Sequence, residues 1–287
     1  MKDRALSTIG LWVIVGLVIW VGNFFSFAEK ASFGLLALII GAAQYEFYSL
    51  AQRIPGVRRP SLSGIVAGFT LHFALFFFAP EQARTHVVLT IGALLIGAHL
   101  LSLLRHPGEV PTLLRRFPTL YGFAYLPFML ASLIAIARMK EGQLLTTQSV
   151  GLYYVVWVFV ATKFTDVGGL LFGVPFGKHK IAPNISPAKS WEGCAGGLAC
   201  SALISGLYAW LLRDAVGVSF MVPWKAALLA LPIAVLSIPS DLVESVFKRL
   251  AGAKDSGATI PGIGGMFDLS DSLLLTAPVA YFLFRLP

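Results

Sequence analysis

Residues 32–50 read SFGLLALIIGAAQYEFYSL, an apolar run whose single formal charge is Glu46. As a helix, a run of this length reaches across the hydrocarbon core of a bilayer, which takes roughly 17–25 residues. Similar runs lie at about 9–27, 61–79, 86–104, 119–137, 149–165, 193–212, 225–240 and 271–285. Together they predict an all-α, polytopic transmembrane helical bundle of about nine spans. Composition points the same way: 57% of the 287 residues are apolar and 13% are charged, against about 45–50% and 25% in soluble domains. Such a chain has only lipid against which to place its surface, which excludes a soluble domain and intrinsic disorder. An ionisable group within a span is costly, so Glu46 marks either function or a partner.

Two of the runs have polar ends. The sixth runs into Lys163 and Asp166, and the eighth contains Pro232 and is expected to end at Pro239-Ser240-Asp241. The first follows Lys2 and Arg4 but lacks the small-residue cleavage site of a signal peptide, so it reads as a span.

Lys and Arg number 22 against 14 Asp and Glu, a formal charge of +8. In a membrane protein that excess marks the cytoplasmic side. The N-terminus and the loops after even-numbered spans hold 15 of the basic residues and the remaining segments hold 7. This bias predicts a cytoplasmic N-terminus, an outer C-terminus and two long cytosolic loops at about 166–192 and 241–270. The chain divides into N-terminal transmembrane helices, 1–145, and a C-terminal catalytic region carrying both loops, 146–287. No zinc-ligand spacing or aromatic-interleaved basic motif supports a nucleic-acid partner. Cys194 and Cys200, six apart in an apolar run, turn to different faces of a helix and do not suggest a disulfide.

Half of the scarce acids, Asp166, Glu192, Asp241, Glu244, Asp255, Asp268 and Asp271, fall in the two loops or at their edges. Residues 240–271 read SDLVESVFKRLAGAKDSGATIPGIGGMFDLSD. On a helix Asp241, Glu244, Ser245 and Lys248 share one face, and Asp268 and Asp271 follow at i, i+3 beyond a glycine-rich turn. Carboxylates are the hard oxygen ligands that Mg²⁺ takes while keeping water and substrate phosphates elsewhere in its shell. Residues 165–193 read TDVGGLLFGVPFGKHKIAPNISPAKSWEG. Lys178, Lys180 and Lys189 offer point charges for phosphates, although GVPFGKH is too short for a Walker A loop and lacks its Ser/Thr. Ser190 is a candidate helix N-cap. The GxxxG pairs Gly169/Gly173 and Gly193/Gly197 permit close helix packing, within one chain or between the copies of a homodimer. Metal-binding carboxylates and phosphate-binding lysines at a membrane surface fit phosphoryl or nucleotidyl transfer, in which positioning and charge neutralisation supply most of the catalysis.

At these residues the chain resembles the phosphatidate cytidylyltransferase (CDP-diacylglycerol synthase) family. The family signature is met at Ser245, Lys248, Arg249, Lys254, Asp255, Gly257, Ile260, Pro261, Gly262, Gly264, Gly265, Asp268 and Asp271. The D-L-x-E-S element at 241–245 matches too, as do F-G-K-H-K and I-S-P-x-K-S-W-E-G at 176–193. The resemblance covers about residues 160–275. Ile263 stands where the family has His, Leu269 where it has Arg, and Ser240 where it usually has Gly.

The resemblance implies conversion of phosphatidate and CTP to CDP-diacylglycerol and pyrophosphate with Mg²⁺, at the cytoplasmic face of the cell membrane. It makes Asp241 and Asp268 the first metal ligands, with Asp271 a further ligand. Asp166 would serve a second cation or orient lysines. Lys178, Lys180, Ser186, Lys189, Arg249, Gly264 and Gly265 would bind substrate, and Lys248, Lys254 and Asp255 would assist catalysis. The alternative reading is a secondary transporter for an anionic solute, since 166–177 and 232–240 resemble the broken spans of such proteins. A lipid or polyprenol kinase would differ in not releasing pyrophosphate.

Overall fold

A computed structural model describes residues 28–55, 122–139, 150–216, 222–260 and 264–285 almost without interruption, with scattered positions between 10 and 73. The runs expected at 9–27, 61–79 and 86–104 lie wholly or largely outside the described residues, as do Pro261, Gly262 and Ile263. Helix α1 spans Ala28–Ala51. A π-helical turn at Ala124–Phe128 leads into α2, Met129–Ala137. Helix α3 spans Val150–Phe176, followed by strands β1, Lys180–Ala182, and β2, Ser186–Ser190. The remaining helices are α4, Trp191–Val216, α5, Pro223–Leu250, α6, Met266–Ser270, and α7, Leu273–Leu283.

The described residues are mostly helical. Five segments are long and apolar enough to cross a membrane: Phe33–Ala51, Val150–Phe176, Trp191–Arg213, Pro223–Leu250 and Met266–Leu283. Ala124–Ala137 is a shorter apolar helix.

Two helices run past their expected ends. The sixth span, expected at 149–165, continues to Phe176, and the eighth, expected to stop at residue 240, continues to Leu250. The side chains beyond Asp166 remain apolar: Val167, Leu170, Leu171, Phe172 and Val174 are all exposed, as suits a lipid-facing surface. Pro239 removes one intrahelical hydrogen bond without ending α5, as membrane helices tolerate. The segments that suggested broken, transporter-like spans are therefore continuous helix. The expected loop at 166–192 shrinks to an antiparallel hairpin pairing Lys180 with Ser190 and Ala182 with Ser186. Its two short strands sit among elements that are otherwise helical, as the helical-bundle expectation has it.

Helices α3 and α4 pack backbone to backbone within the one chain. A Cβ on Gly197 would lie 2.7 Å from the Thr165 carbonyl oxygen, and one on Gly193 would lie 2.8 Å from that of Gly169. Only glycine allows this approach, which recovers through packing what glycine costs in helix propensity. The hairpin closes against α5 through Ile185, Leu242 and Val246. Ser190 caps α4 by accepting a hydrogen bond from the Gly193 N–H at 3.2 Å.

An aromatic box ties α1, the π-turn, α5 and α6 together. Phe47 lies 5.5 Å from Tyr125, 5.3 Å from Phe247 and 5.5 Å from Phe267, ring centre to ring centre, each pair edge-on. These tilted contacts suit ring quadrupoles. Each phenylalanine adjoins a charged residue in sequence, Glu46, Lys248 and Asp268 respectively. Burying the rings turns those neighbours toward a common polar interior.

Candidate active site and metal centre

Helix α5 supplies Asp241, Glu244, Ser245 and Lys248 at the i, i+3, i+4, i+7 spacing that keeps them on one face. Oxygens of Asp241, Glu244 and Asp271 lie within 4.8 Å of one another. Each acid of this triad has its own lysine. Asp241 Oδ2 is 2.7 Å from Lys189 Nζ, Glu244 Oε2 is 2.5 Å from Lys248 Nζ, and Asp271 Oδ1 is 3.5 Å from Lys163 Nζ. Glu244 is fully buried, and its Oε1 has no hydrogen-bond partner among the described residues.

The triad fits a hard divalent cation. Three carboxylates converge within 4.8 Å of one another, an arrangement that is costly without a cation between them. With Asp166, Asp268 and, through Ser256, Glu46, the network holds more carboxylates than lysines, a surplus of acidic oxygens that suits a cation. Asp241, Glu244 and Asp271 are the residues that could hold it.

Asp268 adjoins the triad through Glu244 and also answers several protein donors. Its Oδ1 accepts from Lys248 Nζ at 2.9 Å. Its Oδ2 accepts from Ser256 N at 3.0 Å, Ser256 Oγ at 2.8 Å and Gly265 N at 2.7 Å. Gly264, at φ +122°, makes the turn into α6, where a Cβ would lie 2.6 Å from Asp268 Oδ2.

Glu46 carries the same segment from the other side. It accepts hydrogen bonds from Ser256 Oγ at 3.3 Å, Phe267 N at 2.9 Å and Thr259 Oγ1. A Cβ on Gly257 would lie 2.7 Å from Glu46 Oε1, so this close approach requires glycine. The buried carboxylate thus has a partner, and that partner is the glycine-rich segment of the site.

The break between α6 and α7 is held by Ser240. Its hydroxyl donates to the Asp271 carbonyl and accepts from the Leu275 N–H at 3.3 Å. Ser272 Oγ reaches Asp166 Oδ2 at 3.3 Å, joining α3 to this junction. Helix α3 continues for about ten residues past Asp166, about 15 Å at 1.5 Å per residue. The charged cluster therefore lies well short of the end of α3, while on α5 it reaches Lys248, close to that helix's end.

A family model described as the cytidylyltransferase family matches residues 2–286. The chain belongs to the cytidylyltransferase family. It is 38% identical over 133 residues to a phosphatidate cytidylyltransferase of Staphylococcus haemolyticus, covering 46% of this chain and 49% of the relative. It is 43% identical over 124 residues to one of Mycobacterium leprae, covering 43% and 38%. It is 38% identical over 150 residues to one of Staphylococcus saprophyticus, covering 51% and 55%. The chain thus spans about half the length, or less, of the curated relatives it matches.

In this cytidylyltransferase-family chain, the expected residues Asp166, Lys189, Asp241, Lys248, Asp268 and Asp271 enter one polar network. Lys178, Lys180, Lys254 and Asp255 are exposed and form no ion pair with a described residue. Arg249 donates to the carbonyls of Ile185 at 3.4 Å and Ala253 at 3.3 Å, fastening the hairpin to the end of α5. Ser186 opens β2. Leu269, where the resemblance expects Arg, is buried.

Lys163, Ser256 and Ser272 were not among the expected site residues, and Glu244 was noted only as an acid on the helix face of Asp241 and Lys248. Lys163 did carry a signal, being an ammonium at the end of an apolar run, three residues before an aspartate. The two serines carried none, because a hydroxyl shows its partner only in three dimensions.

Proposed function

We propose that this chain is a phosphatidate cytidylyltransferase, forming CDP-diacylglycerol and pyrophosphate from CTP and phosphatidate for phospholipid synthesis. The observation that carries the reading is the lysine-backed triad of Asp241, Glu244 and Asp271, set within the length of membrane-type helices. It combines a cation site with phosphate-neutralising charge where a lipid headgroup can arrive. The relatives' shared name supports the choice of CTP and phosphatidate.

In this mechanism an anionic oxygen of phosphatidate attacks the α-phosphorus of CTP. The new P–O bond forms as the bond to the β-phosphate bridging oxygen breaks, and pyrophosphate leaves with that electron pair. The nucleophile is already ionised near neutral pH, so no strong general base is needed. Asp241, Glu244 and Asp271 would hold Mg²⁺, which would supply Lewis acidity and a template for the phosphates. Asp268 holds Lys248 and the glycine turn in place. Lys189 and Lys248 neutralise phosphate charge from within the cluster, while Lys178, Lys180, Lys254 and Arg249 offer exposed charge to the triphosphate.

The proposal also includes about nine spans, a cytoplasmic N-terminus and an active site open to the cytoplasm of a cell membrane. Positive-inside bias supports that orientation. A homodimer is compatible with it.

The test is incubation of detergent-purified chain with labelled CTP, Mg²⁺ and phosphatidate. A lipid-extractable cytidine product with stoichiometric pyrophosphate is expected. Transfer of the γ-phosphate instead, or no cytidine lipid from a folded preparation, would overturn the reading.

A further inference from the structure

Lys163 lies beside the triad and shares Asp271 with it. Its ammonium donates to Ser272 Oγ at 2.8 Å and lies 3.5 Å from Asp271 Oδ1 and 3.6 Å from Asp166 Oδ2. Asp271 is thereby shared between the triad and Lys163. In two-ion phosphoryl-transfer sites the ions lie about 3.5–4 Å apart and act together on the attacking and leaving oxygens. Here a single carboxylate is shared between a candidate ion site and a fixed ammonium.

We infer that the Lys163 ammonium is a resident second cation, so that this chain works with one divalent ion, and that Asp166 orients the lysine rather than binding metal. This rests on the proposed nucleotidyl transfer. Three oxygens, from Asp166, Asp271 and Ser272, already surround the ammonium, which has three hydrogens to donate. Of these, Asp271 is the oxygen donor that the ammonium shares with the triad. The lysine is also held at its base, because α3 is pressed onto α4 at Gly168, where a Cβ would lie 2.7 Å from the Gly196 carbonyl oxygen. A charge on a packed helix cannot diffuse away, so the second cation is permanent.

The decisive measurement is Mn²⁺ stoichiometry in the purified full chain, read from the free-ion signal by electron paramagnetic resonance. Wild type should bind one Mn²⁺ per chain. Lys163→Met should bind two, with turnover at limiting Mg²⁺ reduced about 100-fold and recovered as Mg²⁺ rises. Lys163→Arg should keep the count at one. Two ions in wild type overturn the inference, even if Lys163→Met fails to fold. One ion in Lys163→Met overturns it as well, whether turnover is unchanged or is lost at every Mg²⁺ concentration. A chain that binds one Mn²⁺ but makes no cytidine lipid fails the proposed function and leaves the ion count standing. A chain that makes product with two ions fails the inference alone.

Discussion

At the residue scale, the two aspartates expected as first metal ligands differ in surroundings, so their substitutions should differ in kind. Asp241 is partly exposed and pairs with Lys189. Asp241→Asn should cut Mg²⁺-dependent turnover at least about 100-fold and leave the melting temperature nearly unchanged. Asp268 answers Lys248 and three further donors. Asp268→Asn should cost stability as well, on the order of 3 kcal/mol for breaking a largely buried pair. Cytidine-lipid assays beside thermal melts of both variants check this, and equal melts would refute the distinction. Glu46 is the other residue of consequence. Glu46→Ala leaves the buried Phe267 N–H without its acceptor, at about 1–3 kcal/mol for an unsatisfied buried group, and removes the carboxylate that also ties down Ser256 and Thr259. A melting temperature within a degree of wild type would show that the anchor is dispensable.

Among the elements, the α3–α4 crossing decides whether Lys163 and Asp166 stand at the right height. The glycine stripe that permits it is visible in sequence, but its partner is not: GxxxG pairs serve equally within a chain or between chains. Gly197→Leu would press a side chain into the Thr165 carbonyl, already 2.7 Å from a Cβ at that position. It should destabilise by about 1–3 kcal/mol and reduce turnover further by displacing α3. The check is turnover measured at a temperature where the variant is still folded; full activity there would separate the crossing from the site. The β-hairpin was illegible for a related reason. Residues 177–190 look irregular in one dimension, and their order comes from contacts outside the segment. His179 Nδ1 lies 2.6 Å from Glu192 Oε1, and Ile185 packs on α5.

For the whole molecule, the open question is which side of the membrane the hairpin faces. The bias of Lys and Arg predicts the cytoplasm. Asn184, exposed in the turn between β1 and β2, is the place to ask. In a variant lacking Cys194 and Cys200, Asn184→Cys should react with a membrane-impermeant maleimide in inside-out vesicles and not in intact spheroplasts. Labelling from the outer side alone would invert the topology and move the CTP site away from cytosolic nucleotide.

The sequence by itself determined the class of protein and the two segments in which its acids gather. Apolar runs measure themselves against a bilayer one residue at a time, and seven of the few acids fall in two segments. The helical spacing of Asp241, Glu244 and Lys248 was legible for the same reason, since an α-helix converts sequence interval directly into direction. Only the tertiary structure decided which charges meet. Asp271 is separated from Lys163 by 108 residues in sequence and from it by 3.5 Å in space, while Thr259 and Glu46 are 213 residues apart and hydrogen-bonded. No local period encodes such pairs. They follow from helices packed on glycine stripes and an aromatic box, which turn buried charges inward because lipid leaves them nowhere else to go.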